Sequence, residues 1–381
     1  MEIYFDNSAT TKPLAEVIEV VANSMNEYYA NPSSLHTLGL KCHKKLLQSR
    51  ELFASTINAT KDEIFFTSGG SESNNMIIRG SVKPGNHIIT TRFEHPSVLN
   101  TYRELEKQGI RVSYLDVDKD GIIDIEELEE LIVKDTVLIS IMHVNNEIGS
   151  IQDLEKIGKL IKIKSNRAKF HVDGVQSYGK FKIDVKKCNI DFFTVSAHKI
   201  HGPKGIGVCY VRKGLSFNPL IIGGGQESGL RSGTENLPAI LGMIRASELI
   251  NSRIKENYGK VVELKRYFIE KLNNIEDIKI NSPLDDKHSS FILNVSFLGV
   301  RSEVLLHLLE ENGIFVSTGS ACSSKIFSNK GSHVLNAIGL KEKEIEGAIR
   351  FSFSSFNTLE EVDYVINELQ NSLKFLRRLK K

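Results

Sequence analysis

The sequence predicts an α/β protein built on a mostly parallel sheet between helices, followed by a smaller α+β part. Three observations predict it. Apolar runs of strand length recur along the first two thirds of the chain, several of them apolar at nearly every position. Strands covered by helices on both faces have that composition. Helical patterns separate these runs, and from about residue 240 the alternation gives way to long charged helical patterns.

The strand signals, in order, are EIFFTS (63–68), HIITT (87–91), RVSYLDV (111–117), TVLISIMHV (136–144), KFHVD (169–173) and DFFTVS (191–196). Helical patterns over 97–108, 124–133 and 153–163 lie between them. In the last, Leu154, Ile157 and Ile161 form one apolar stripe, while Lys156, Lys159 and Lys162 fall off it as a solvated face does. Further on, helical patterns over 239–273 and 359–379 flank the strand-like SFILNVSF (290–297) and IRFSFSS (349–355). The expected division is a large domain over 13–250 and a small one made of 1–12 with 251–381. In an open α/β sheet, ligands bind at the carboxyl ends of the strands.

Composition excludes several classes. With 40% apolar and 25% charged residues the chain is neither disordered nor collagen-like. Forty-nine basic against 47 acidic residues leave +2, too little for a field that draws the whole molecule to nucleic acid or membrane. The apolar runs are shorter than the ~20 residues of a bilayer span. MEIYFDNSATT has no leader-like pattern, so a cytoplasmic protein is expected. The basic KFLRRLKK is favourable at a helix C-terminus and implies no nucleic-acid partner. Four cysteines without CxxC or Cys/His spacing argue against disulfides and structural zinc. Cys209, in GIGVCYV, reads as a small core hydrophobe, whereas Cys322 sits in the polar run STGSACSSK.

One segment imitates a calcium loop. DVDKDGIIDIEE (116–127) matches the EF-hand pattern at Asp116, Asp118, Asp120, Gly121, Ile123, Asp124 and Glu127. An EF-hand needs a helix running into that loop, and RVSYL reads as a strand. The segment is therefore expected to be a strand-to-helix turn, and no metal site is expected.

Three segments carry chemistry. In FFTSGGSESNN a strand ends, Gly69 and Gly70 permit a tight turn, and Ser71-Glu72 open a helix whose free N–H groups suit an anion. KFHVDGVQ puts Asp173 at the end of a buried strand, where it either caps a helix or meets a buried cation or N–H, with Gln176 just beyond. DFFTVSAHKIHGPKGIG delivers Ser196, His198 and Lys199 at another strand end. A lysine there is either a solvated charge or a Schiff-base amine. A phosphate cradle, an acid and an amine on one sheet edge suit pyridoxal phosphate, which needs all three.

The chain resembles the cysteine desulfurases of the nitrogen-fixation and iron–sulfur-assembly type, among the class V aminotransferase-like pyridoxal phosphate enzymes of fold type I. The resemblance runs nearly end to end through YFDNSATT, NPSSLH, FTSGGSESNN, EHPSV, HVNNEIG, HVDGVQSYGK, SAHKIHGPKGIG, GGGQESGLRSGTEN, STGSAC and IRFS. It implies that Lys199 carries the coenzyme and moves protons, Asp173 fixes the pyridine nitrogen and Gln176 bonds the ring hydroxyl. His95 would stack on the ring and serve catalysis as an acid–base, and Gly70, Ser71, Ser196 and His198 would hold the phosphate. Thr234 would reach that phosphate across a homodimer interface, and Asn146 and Arg350 would orient the substrate carboxylate. Cys322 would take sulfur from L-cysteine as a persulfide, leaving L-alanine. The segment from 317 to about 333 is long and polar, which resembles the long-loop branch and implies a mobile sulfur carrier.

The implied acceptor is a protein, either an iron–sulfur scaffold or a tRNA-thiolation enzyme. Two departures from the family pattern stand out. Gly70-Ser71 replaces the Ala-Thr of many relatives, and no second arginine follows IRFS, which leaves Arg350 as the local carboxylate partner. A selenocysteine lyase or another class V enzyme is the alternative, and the thiol at Cys322 argues against a plain transaminase.

Overall fold

The computed structural model describes residues 2–318 and 331–379. Its elements, in chain order, begin with β1 (Ile3–Tyr4), α1 (Ala15–Glu27), α2 (Thr37–Thr56), β2 (Ile64–Thr67), α3 (Gly70–Gly80) and β3 (His87–Thr91). They continue with α4 (Pro96–Lys107), β4 (Arg111–Leu115), α5 (Ile125–Leu131), β5 (Thr136–Met142), α6 (Leu154–Lys164), β6 (Lys169–Asp173), β7 (Phe192–Ser196) and β8 (Gly207–Val211). The remainder is α7 (Leu237–Asn251), α8 (Ile254–Leu272), β9 (Ile278–Ile280), β10 (Ile292–Phe297), α9 (Ser302–Glu311), β11 (Ile314–Phe315), α10 (His333–Ala337), α11 (Glu342–Glu346), β12 (Ala348–Ser352) and α12 (Leu359–Leu379).

Seven strands form the main sheet in the order β2-β8-β7-β6-β5-β3-β4. β8 runs antiparallel to both neighbours and the other pairings are parallel, so the sheet is mixed and mostly parallel. Successive strand residues enter opposite cores, as a pleat demands. Ile89, Ile139, Phe193 and Tyr210 face one core with α2, α6 and α7, and the neighbouring Ile88, Leu138, Phe192 and Cys209 face another with α3 and α4. The stripe Leu154, Ile157 and Ile161 lies in the first core. Cys209 is fully buried as a hydrophobe in the other core, and burial pushes its thiol pKa up.

Beyond α7 the packing changes partner. α8, α9 and α12 cover a three-stranded antiparallel sheet, β12-β10-β9, over a separate core of Phe268, Phe297, Phe351 and Leu369. The N-terminal strand β1 pairs in parallel with β11, which brings Ile3 and Phe5 into that same core. The helical pattern expected over 239–273 is broken at Ser252-Arg253. Its physical reason is that α7 buries Ile240 and Ile244 in the first core, whereas α8 buries Val261 and Phe268 in the later one. Helical periodicity records that a side chain is buried, not against what.

A strand, β4, enters the calcium-like turn. Asp118 Oδ1 accepts from the amides of Asp120 and Ile122, both at 2.9 Å, and Asp124 caps α5 through the amide of Glu126. Arg92 and Lys287 hold Asp116 and Asp120 at 2.5 and 2.6 Å. These carboxylates thus shape a turn.

Gly158 marks the tightest helix contact. A Cβ there would run into the carbonyl oxygen of Cys188, in the turn before β7. Alanine elsewhere in a helix gains up to ~1 kcal/mol over glycine, but overpacking costs ~1–3 kcal/mol, so the clash decides the sign. Gly158→Ala is therefore expected to lower the urea midpoint of unfolding, and an unchanged or raised midpoint would contradict this packing.

Candidate active site

The carboxyl ends of β5, β6 and β7 lie side by side. Met142 pairs with Asp173, and Asp173 with Thr194, so the residues following each strand emerge at one edge. Asp173 is buried, its Oδ1 accepting from the amide of Val175 (3.0 Å) and its Oδ2 from Asn74 Nδ2 (2.8 Å). Ser196 ends β7, and Lys199 closes the short turn after it.

Opposite Ser196, Gly69 adopts φ 153° as the N-cap of α3. A Cβ at Gly69 would lie 3.6 Å from Ser196 Oγ, and one at Gly70 would meet Val175 at 2.8 Å. Glycine here lets the helix start against the turn that follows Asp173. The first-turn amides of α3 have no partner within the helix and carry partial positive charge. Ser71 is exposed on that turn.

His95 caps α4 and belongs to a hydrogen-bond chain. Its Nδ1 accepts from the Ser97 amide (3.2 Å) and from Ser97 Oγ (2.8 Å). Asn74 Nδ2 donates to Ser97 Oγ (2.9 Å) as well as to Asp173. Because Nδ1 is an acceptor, the ring proton resides on Nε2. Burial holds the His95 pKa below its ordinary value, Asp173 acts against this, and Lys199 and His333 reinforce it. The imidazole is neutral near pH 7.

Lys199 Nζ donates to the carbonyls of Ser8 and Ala9, the latter at 2.8 Å. Gln176 Nε2 donates to the same Ser8 carbonyl (2.9 Å). His198 Nδ1 is 3.1 Å from Thr10 Oγ1, and burial together with Lys199 pushes its pKa down to about 4. Arg350 is buried on β12, where its Nη1 donates to the Asn146 carbonyl (2.9 Å) and its Nη2 to Asp6 Oδ1 (2.7 Å). Among the described residues its Nε has no partner. The segment 6–11 therefore binds Arg350, Lys199, Gln176 and His198 together.

The sequence-predicted residues Gly70, Asp173, Gln176, Ser196, His198 and Lys199 all lie along this edge, with His95 tied to Asp173 and Asn146 tied to Arg350. Thr234 is exposed and lines a cavity with Ser68, Gly205 and Arg231, separate from the one that Lys199 lines. Cys322 lies outside the described residues, as does most of the segment 317–333. Sequence reasoning missed Asp6, Ser8, Asn74 and Ser97. The quoted blocks YFDNSATT, FTSGGSESNN and EHPSV contain all four, but the role of Ser8 is a backbone contact that residue type cannot announce. Among the described residues no group of three or more His, Cys, Asp or Glu side chains is placed to hold a metal.

The family model for class-V aminotransferases matches residues 3–365. A protein named cysteine desulfurase IscS from Clostridium botulinum is 42% identical over 384 residues, covering 99% of this chain and 96% of that protein. A solved NifS-like protein superposes with a TM-score of 0.92 at 39% identity, covering 98% of this chain and all of that one. Another, described as SspA in complex with cysteine, has a TM-score of 0.81 at 37% identity and covers 93% of this chain and all of its own. The chain belongs to the class-V aminotransferase family and, within it, to the cysteine desulfurases. No helix among the described residues is long and apolar enough to cross a membrane.

Glu94, beside His95, is fully buried. Its Oε1 accepts from Thr91 Oγ1 (2.8 Å) and the Met142 amide (2.9 Å), and its Oε2 has no partner among the described residues. Burial pushes its pKa up from 4.5 to about 8. A raised folded-state pKa gives stability that is complete below the ordinary value and is lost as pH climbs towards the folded one, here between 4.5 and about 8. Glu94→Gln mimics the protonated form, so its stability relative to the parent should rise by more than ~1 kcal/mol between pH 5 and pH 8.5. Urea titrations at the two pH values check this, and a pH-independent difference would contradict a protonated Glu94.

Proposed function

We propose that this cysteine desulfurase binds pyridoxal 5'-phosphate at the edge formed by Asp173, Ser196 and Lys199, and passes sulfur from L-cysteine to Cys322, releasing L-alanine. The observation that carries the reading is the convergence of an amine, a buried carboxylate and a helix N-terminus where adjacent parallel strands end. Three features support the fit of the coenzyme. Glycine at 70 leaves room that any side chain would fill against Val175. Among the described residues each Asp173 oxygen has a single hydrogen-bond partner, which leaves lone pairs for a protonated ring nitrogen. Asn74 Oδ1 and Ser8 Oγ are buried without partners among the described residues.

When bound, the coenzyme supplies an electron sink for the pair left as the substrate loses its Cα proton. Lys199 Nζ would hold the coenzyme's aldehyde carbon and then move that proton. Asp173 would keep the proton on the ring nitrogen, and Gln176 Nε2 would donate to the ring oxygen. His95 would lie against the ring face with its Nε2 proton available. Gly70, Ser71, Ser196 and His198 would bind the phosphate, His198 as a neutral imidazole. Arg350 Nε, a donor without a partner among the described residues, and the side chain of Asn146 would hold the substrate carboxylate.

The remaining features follow from this reading. The chain divides into a large domain over 13–250 and a small one of 1–12 with 251–381, where helices change core partner between α7 and α8. It acts as a homodimer in the cytoplasm, with Thr234 of one copy serving the phosphate of the other. Tyr29, Leu35 and Ile222 are 72%, 93% and 85% exposed, and Ile221 bridges to Arg231 close to Thr234. In the proposed dimer such side chains would be covered. The sulfur then goes to an acceptor protein, an iron–sulfur scaffold or a tRNA-thiolation enzyme.

The purified protein should be yellow, and Lys199→Ala should lose the visible band and at least ~100-fold in alanine release. Cys322→Ser should retain the band but lose persulfide formation and alanine release from L-cysteine. A serine variant that desulfurates at the parental rate removes Cys322 from the mechanism. Light scattering should give the mass of two chains.

A further inference from the structure

Lys180 closes the HVDGVQSYGK block, and none of the roles above uses it. It is half-buried in the turn after Asp173 and lines a small cavity with Asn7, Lys199, Phe291 and Phe353. Its Nζ donates to Gln176 Oε1 (3.1 Å) and lies 5.3 Å from the Phe291 ring centre. Gln176 in turn donates through Nε2 to the Ser8 carbonyl, which Lys199 also binds. A chain of contacts therefore runs from Lys180 through Gln176 and the Ser8 carbonyl to Lys199.

The two ends of an amide differ. Gln176 is buried, with one acceptor end and one donor end to satisfy. An ammonium has only donors, so Lys180 must engage Oε1. With Oε1 occupied, the NH2 end is left for Ser8 and for whatever enters the site. Without Lys180, Oε1 would be a buried acceptor lacking a partner, and the amine of Lys199 is the nearby donor able to satisfy it. Burial, with Lys199 and Arg350 nearby, also pushes the Lys180 pKa down to about 7, the cost of keeping a cation here.

We infer that Lys180 is a positioning residue that occupies Gln176 Oε1, so that the amide presents its NH2 end to the Ser8 carbonyl and to the bound coenzyme. The inference rests on the reading of this edge as a pyridoxal phosphate site. It assigns to Lys180 no contact with coenzyme or substrate. Its effect passes through Gln176.

The test is equilibrium binding of pyridoxal phosphate to the apo-protein, with the visible spectrum of the loaded form. Lys180→Met should weaken binding ~10-fold, as expected for losing a hydrogen bond from a charged donor, and shift the visible maximum. Lys180→Arg, which keeps the donor, should recover most of both. In a Gln176→Ala background, Lys180→Met should add nothing, because coupled residues are not additive. The apo form of Lys180→Met should unfold at the parental temperature or above it, since a desolvated charge has gone. A merely structural lysine predicts the reverse, lower stability with parental binding. If Lys180→Met does not fold, Lys180→Gln serves in the same comparison. Parental affinity and spectrum in the methionine variant, or an equal loss in the Gln176→Ala background, overturns the inference alone. Failure of the parental protein to bind the coenzyme overturns the underlying reading and this inference with it.

Discussion

The parallel register between β6 and β7 is the constraint on which the site depends. With Asp173 opposite Thr194, the carboxylate ends its strand level with the turn that carries Ser196 to Lys199. A slip of one residue would send Asp173 to the opposite face and bring a valine or glycine in its place. The pleat guards against that slip, because Val172 and Phe193 belong to the core on one side and Phe192 to the core on the other. Gly174 then lets the chain turn away, since a Cβ there would strike the Phe193 ring. Buried hydrophobic surface thus fixes the position of polar atoms that contribute little to stability themselves.

Charge at the site is balanced by pairing and by neutralisation. Arg350 meets Asp6, Asp173 meets amide donors, and the imidazoles of His95 and His198 are uncharged because burial makes the cation costly. Glu94 retains a proton for the same reason. Lysine remains the exception among these groups, with Lys180 leaning on the Gln176 amide and Lys199 on the Ser8 and Ala9 carbonyls. Donors facing inward and few carboxylates among these groups suit the anionic coenzyme and amino acid proposed for this edge.

Much of the fold was legible because burial imposes period. HIITT and KFHVD became β3 and β6 with their predicted ends, and 359–379 became α12. The antiparallel β8 went unassigned, since an apolar run such as GIGVCYV carries no sign of direction. The break between α7 and α8 escaped because both helices are amphipathic, and only the identity of the partner core separates them. At the site, strand-end polar residues stood out against their apolar strands, which made Asp173, Ser196 and Lys199 readable. Asp6 and Asn74 act across long sequence separations, 344 residues for Asp6 with Arg350 and 99 for Asn74 with Asp173, and spacing along a chain gives no hint of such meetings.

The N-terminal residues that clasp Lys199 and Arg350 have a further consequence for how the molecule comes into being. Asn7 donates to the carbonyl of Ser352, 345 positions later. Lengthening a loop adds only ~0.6 kcal/mol per doubling, so equilibrium tolerates the long reach, yet contacts this distant form late in folding. During synthesis Asn7 is made 345 positions before Ser352, so this contact must wait until β12 exists. Until that ring is closed the cores can pack, but Lys199 and Arg350 are not yet held to one segment.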